Sequence, residues 1–196
     1  MTTTAVAVPQ TSTTITTWNI DPAHAVAEFK VRHMMIANVK GQFSKVSGTL
    51  ILDESDLAKS SVEASIESAS IETRDSQRDA HLKSVDFFHV EKFPTLHFKS
   101  TGIRIVRAGE LSVEGDLTIR GVTRKVRFAV EGPTPPTKDP WGNTRVGASA
   151  STKINRKDYG VSWNKSLDGG GVVVGDEVAI NIETELVKKA PAEAKQ

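Results

Sequence analysis

The chain of 196 residues contains no cysteine and a single tyrosine, and only 6 % of it is aromatic. The missing cysteine excludes disulfides, thiolate metal sites and a cysteine nucleophile together. No apolar run approaches the 18 or so residues that a membrane-crossing helix needs. Neither sign of charge dominates: 25 Lys and Arg stand against 24 Asp and Glu, a net charge of +1. Nucleic-acid binding would call for a basic excess gathered on one face, so no nucleic-acid partner is expected. A secretory leader needs a basic start and an apolar run. Residues 1–19 carry no Lys or Arg and are rich in threonine, so cytoplasmic residence is expected.

What remains is an ordinary soluble composition, 38 % hydrophobic and 25 % charged, long enough for one domain with its own core. The Thr-rich residues 1–17 and the Lys/Ala/Glu-rich residues 188–196 read as flexible tails, leaving one domain over 18–187. Inside it the repeating signal is period-two alternation, the mark of a half-buried strand. Ala25, Ala27, Phe29 and Val31 alternate with polar or exposed positions. So do Val62, Ala64 and Ile66, then Leu111, Val113, Gly115, Leu117 and Ile119, then Val126, Phe128 and Val130, and finally Val178, Ile180 and Ile182. Further strand-like runs cover 39–52, 95–106 and 143–154, giving about eight long strands. Ala108-Gly109 and Arg120-Gly121 fit tight hairpins. One segment, Asp75 to Ser84, is rich in helix formers, with Asp75 placed to cap it and Asp79 four residues before Lys83. The expected fold is all-β: an antiparallel eight-stranded barrel with a short helical insertion, closed because eight long strands would otherwise expose two edges.

Inward faces combine small residues (Ala25, Ala27, Gly48, Gly115, Ala148, Ala150) with large apolar ones (Phe29, Phe43, Phe98, Phe128). Two outcomes stay open at this point. Small residues facing the axis leave a dry volume, or they interdigitate with large ones in a filled core. If the volume exists, its lining is expected from Phe29, Val31, Phe43, Phe98, Leu111, Val113, Leu117 and Phe128 on the strands. Met34, Met35 and Ile36 after the first strand, the pair Phe87-Phe88 after the helix, and Trp163 are expected to complete it.

The residues also carry a family resemblance over almost the whole of 18–187. WNIDPAHAVAEFKVRHMMIANVKGQFSKVSGTL, with Asp21, His24, Phe29, His33, Gly41 and Phe43, resembles the opening of the YceI-like polyisoprenoid-binding proteins. SIETRDSQRDAHLKSVDFFHVEKFPTLHFKS is similar to their central block, with Ile71, Arg78-Asp79, His81-Leu82, Asp86-Phe87-Phe88 and Phe93-Pro94. GDLTIRGVTRKV resembles their hairpin, and INRKDYGVSW the segment before their last strand. The resemblance implies a lipocalin-like barrel whose apolar tunnel takes an isoprenoid or another long-chain lipid. It also implies a homodimer, and export to the periplasm for many members. This sequence departs in lacking an export signal, and in having Ala25 after His24 where the family commonly has serine.

The polar residues suggest no catalytic constellation. The histidines (His24, His33, His81, His89, His97) show no i,i+4 pair, no His-x-His and no HExxH, so no metal site is expected. His33 continues the inward alternation, where it either meets a ligand head group or hydrogen-bonds a neighbour. Arg78 either binds a phosphate or ties the helix to the barrel rim with Asp79, and His81 lies beside it as a further candidate contact. Arg156 and Asp158 are expected to brace a turn, and Asp168 to Gly171 to form a flexible loop, since no phosphate-loop context surrounds it. The expected activity is therefore non-enzymatic carriage or storage of a long apolar lipid with no other cofactor. The alternatives are an enzyme acting on a lipid pyrophosphate at the barrel mouth, and a solid-core structural module.

Overall fold

The computed structural model describes residues 15–168 and 170–190. Its strands are β1 (Ile15–His33), β2 (Ala37–Phe43), β3 (Val46–Asp53), β4 (Ser61–Glu67), β5 (Ile71–Glu72), β6 (Thr95–Arg107), β7 (Glu110–Ile119), β8 (Val122–Glu131), β9 (Thr137–Lys138), β10 (Thr144–Asn155) and β11 (Val174–Lys188). One α-helix, α1 (Ser76–Lys83), interrupts them among the described residues. Eight strands close a barrel in the order β1-β3-β4-β6-β7-β8-β10-β11, with β11 pairing back onto β1, all antiparallel. The alternation anticipated for 111–119 is realised along β7, where every second residue is buried. The two hairpins turn at Ala108-Gly109 and Arg120-Gly121 as expected, with Arg120 and Gly121 at φ 52° and 74°, the left-handed conformation that matches strand twist.

The run expected over 39–52 is two strands rather than one. Phe43 and Val46 are both buried although three residues apart, which a single period-two strand cannot achieve. The chain turns at Ser44-Lys45, so β2 pairs with the second half of β1 and β3 with its first half. Strand pairing begins at Ile15, three residues inside the expected tail, because ladder hydrogen bonds with β3 need no apolar side chain at Ile15–Thr17. At the other end Lys188 pairs with Trp18. The remaining tail residues, 1–14 and 191–196, and Gly169 of the expected loop lie outside the described residues.

Helix α1 begins where the Asp75 side chain accepts a hydrogen bond from the Arg78 amide at 3.0 Å. It is bound to the sheet through Thr73, which is buried. Arg78 donates to the Thr73 hydroxyl and carbonyl, each at 2.7 Å, while that hydroxyl donates to Asp79.

The barrel end where β1 begins and β11 ends is held by charge. Arg145 on β10 contacts Asp21 at 2.6 Å, Glu185 on β11 at 3.0 Å and Asp139 at 2.8 Å. Asp21 sits in a bulge of β1, between the Ile20 and Ala25 pairings with β11, and His24 of the same bulge donates to it at 2.9 Å. Asp139 also accepts from the Trp141 and Asn143 amides and the Asn143 side chain. The Arg145 guanidinium is the largest influence on both acids; it holds Asp21 far below the usual carboxylate range and Asp139 at about 2.

Two predictions follow from this framework. Both carboxyls have lowered pKa values in the fold, so their stabilisation is present above the ordinary value near 3.8 and is lost as pH falls towards about 2. Acid unfolding followed by circular dichroism should steepen through that window, and Arg145→Met should flatten it; an unchanged acid profile in the variant would separate the cluster from acid stability. At Gly115 an added Cβ would lie 2.5 Å from the Phe98 ring and the Lys99 carbonyl. Gly115→Ala should therefore cost about 1–3 kcal/mol in denaturant unfolding, as overpacked sites do.

Candidate functional site

The barrel is hollow. A cavity of about 300 Å³ lies along its axis, at the lower end of the range of ligand pockets. Its wall is aliphatic and aromatic: Ala27, Phe29 and Val31 from β1, Leu111, Val113 and Leu117 from β7, and Val178, Ile180 and Ile182 from β11 are representative. At the end bearing α1, Phe43 meets Phe29 at 5.9 Å and Phe88 edge-on at 5.5 Å between ring centres, and Leu82 of the helix joins them at the wall. At the opposite end Trp18, completely buried, packs with Leu52, Val146 and Leu186. Aromatic bulk thus occupies both ends, and the Phe98–Phe128 pair, 5.2 Å between ring centres, adds a third aromatic group to the wall.

The few polar residues in the wall are turned away or already engaged. His97 donates to Glu63 on the outer surface at 2.9 Å, and Glu28 is exposed. Arg156 is buried, and its guanidinium is used up on backbone. It donates to the carbonyls of Gly175 (2.8 Å), Val161 (2.7 Å), Trp163 (2.9 Å) and Val174 (3.2 Å). Burial lowers its pKa, and the carboxylate of Asp176, 3.6 Å away, opposes that shift. This residue clips the segment after β10 to the start of β11, a bracing role of the kind expected from the sequence. Tyr159 also reaches the wall. Burial pushes its hydroxyl up to about 12, and that hydroxyl has no hydrogen-bond partner among the described residues.

Phe29, Val31, Phe43, Phe98, Leu111, Val113, Leu117 and Phe128 lie in the wall, on the strands where they were expected, and so does the pair Phe87-Phe88 that follows the helix. Met34, Met35 and Ile36 do not. They form the turn between β1 and β2 and are 40 %, 51 % and 77 % exposed, because the turn projects past the last paired residues and the described residues leave it largely uncovered. Trp163 stands outside the wall, packed on Phe87 at 5.3 Å and His81 at 4.8 Å between ring centres. The three suggested head-group contacts are also off the cavity. His33 ends β1, Arg78 is engaged with Thr73, and His81 donates to Asp86 at 2.9 Å.

The expected small-residue lining is half correct. Ala27, Ala148 and Ala150 border the hollow, as does Ala64. Gly48 and Gly115 do not create space; the Ile20 side chain and the backbone of β4 crowd the first, and the Phe98 ring fills the second. Missed in the sequence were Ile154 of β10 and the wall residues of β11, although the alternation of Val178, Ile180 and Ile182 already marks the β11 face.

Comparison with known proteins agrees with this geometry. The family model described as the YceI-like domain matches residues 18–186. A UPF0312 protein of Staphylococcus aureus strain N315 is 34 % identical over 173 residues, covering 88 % of this chain and 98 % of the relative. Among solved structures, BcnA of Burkholderia cenocepacia superposes with a TM-score of 0.72 at 22 % identity, covering 85 % of this chain and 98 % of that one. The YCEI protein of Campylobacter jejuni superposes at 0.67 with 28 % identity, covering 82 % and 91 %. A polyisoprenoid binding domain from Saccharophagus degradans shares the fold at a TM-score of 0.62 and 11 % identity, covering 88 % and 98 %. With this match from Trp18 to Leu186 and a relative 34 % identical along almost its whole length, the chain belongs to the YceI-like family.

Proposed function

We propose that this protein binds a long-chain apolar lipid, in the first place a polyisoprenoid, inside the barrel, and carries or stores it without transforming it. The observation that carries the reading is the hollow inside the barrel, with its almost wholly hydrocarbon wall. Water in such a space finds no hydrogen-bond partners, so an apolar chain is the occupant that the wall favours. Each methylene moved from water into it contributes roughly 0.8 kcal/mol, and a chain of about twenty carbons offers a gross gain of about 16 kcal/mol. Loss of ligand freedom takes back much of that, and a useful affinity is left without a single polar contact. The name of the Saccharophagus degradans neighbour, a polyisoprenoid binding domain, supports the same ligand class. Since His33, Arg78 and His81 stand off the wall, the hydrocarbon part dominates recognition, and the length of the hollow selects the chain.

Organic extraction of the purified protein followed by mass spectrometry should release a long apolar molecule, and added prenol should be taken up by stripped protein. Ala150→Phe places a ring into the hollow and displaces about three methylenes of ligand, so uptake should fall by about 2 kcal/mol, or roughly thirtyfold. Thermal stability should be kept, because the ring enters free space. Stripped protein that takes up no prenyl or fatty chain, or a folded variant that takes them up undiminished, would refute the proposal.

A further inference from the structure

The turn between β1 and β2 is the one place where three consecutive large apolar side chains, Met34, Met35 and Ile36, stand in solvent among the described residues. Disorder does not explain their exposure. The Ile36 amide donates to the His33 carbonyl at 3.1 Å, the Met34 amide to Val173 at 2.7 Å, and Arg32 Nε to the Met35 carbonyl at 3.2 Å. The turn is held by its own bonds and by the neighbouring strand-like segment.

Its backbone makes the choice of residues more telling. Met34 and Met35 have φ values of 48° and 61°, the left-handed region at both central positions of a tight turn. Asn-Gly is the pair that such a turn favours, and methionine pays a steric penalty there. Local stability therefore argues against Met-Met at these positions. Long, polarisable apolar side chains held out from a rigid tip suit insertion into another phase.

The surroundings indicate which phase. Behind the tip, Lys30 of β1 lies directly opposite Lys40 of β2, an unfavourable like-charge pair across the ladder. Arg32 shares the outward face of Lys30 and packs over Gly175, where an added Cβ would come within 3.0 Å of its own. All three cations are exposed, and none forms an ion pair among the described residues. On this outward face Glu28 lies further from the tip, Glu177 of the paired β11 is matched by Lys153 at 2.9 Å, and the segment before β11 adds Lys165 and Asp168. A second copy docked tip to tip would set this cationic collar against itself. A surface with an apolar interior and anionic head groups satisfies both features together.

We propose that the Met34-Met35-Ile36 tip inserts into an anionic lipid surface, with Lys30, Arg32 and Lys40 meeting the head groups. This goes beyond cargo binding and would hold for an empty barrel. It also places the cavity wall, which reaches Val31 and Val174 beside the tip, against the membrane.

The test is cosedimentation of the full chain with vesicles made of equal parts phosphatidylglycerol and phosphatidylcholine, at low salt. The wild-type chain should bind, and binding should weaken with added salt and on vesicles of phosphatidylcholine alone. Met34→Asn with Met35→Gly and Ile36→Thr should reduce the partition coefficient about tenfold or more, while melting at the same or a higher temperature, since Asn-Gly suits the turn. Lys30→Gln with Lys40→Gln should reduce it by a similar, roughly tenfold factor. No wild-type binding, or binding unchanged in the tip variant, overturns the proposal. So does a tip variant that alters only the protein's own association state, measured by sedimentation without vesicles. Prenol uptake from detergent micelles, measured on the same variants, should be unaffected; its absence in all of them would count against the cargo and not against the tip.

Discussion

Eleven residue pairs between β1 and β11, from Trp18 opposite Lys188 to His33 opposite Val174, close the eight long strands on themselves and leave free edges to the short β2, β5 and β9 among the described strands. Closure does more than satisfy backbone hydrogen bonds. It commits the inward face of every strand to one shared interior, so a residue on β1 is packed by residues more than a hundred positions away in the sequence. The Arg145 cluster serves the same end, since it joins the β1 bulge, β10, β11 and the loop before β10 at the point where the strands must stay in register.

The interior that closure creates is not filled evenly. Trp18 with its aliphatic neighbours occupies one end, and the phenylalanines around α1 occupy the other. Besides these, alanines and medium-sized aliphatics, together with Phe98 and Phe128, make up the wall and leave a space of about 300 Å³. An empty space of this kind forfeits dispersion contacts along its lining, so the fold bears a cost that a ligand would offset. Binding and stability are then linked: a bound hydrocarbon supplies the contacts that the small side chains omit.

A second cost is visible at the surface. The left-handed methionines and the opposed lysines of the β1–β2 hairpin each go against local preference, and they lie together at one corner of the barrel. Sequences tend to agree with their fold at every level except where another requirement intervenes, and a cluster of such disagreements is the kind of place where function resides. Here the requirement reads as contact with a lipid phase.

The sequence by itself determined the strands, through strict alternation on β7 and β11, the capped helix at Asp75, the two tight hairpins and the family. The strand, helix and hairpin signals are local: each depends on residues within about ten positions, and the physical rule behind each acts over that range, whereas the family is read from motifs spread over 18–187. It could not separate a glycine that leaves space from one that a neighbour fills. Gly115 is occupied by Phe98 from the paired strand, whereas Ala148 and Ala150 face open volume. Nor could it show that Met34, Met35 and Ile36 stand outside while Phe87 and Phe88 stand inside, since apolar character is the same in both places. That distinction belongs to the tertiary structure alone, because whether an apolar side chain meets protein, cavity or solvent is decided by what distant strands bring opposite it.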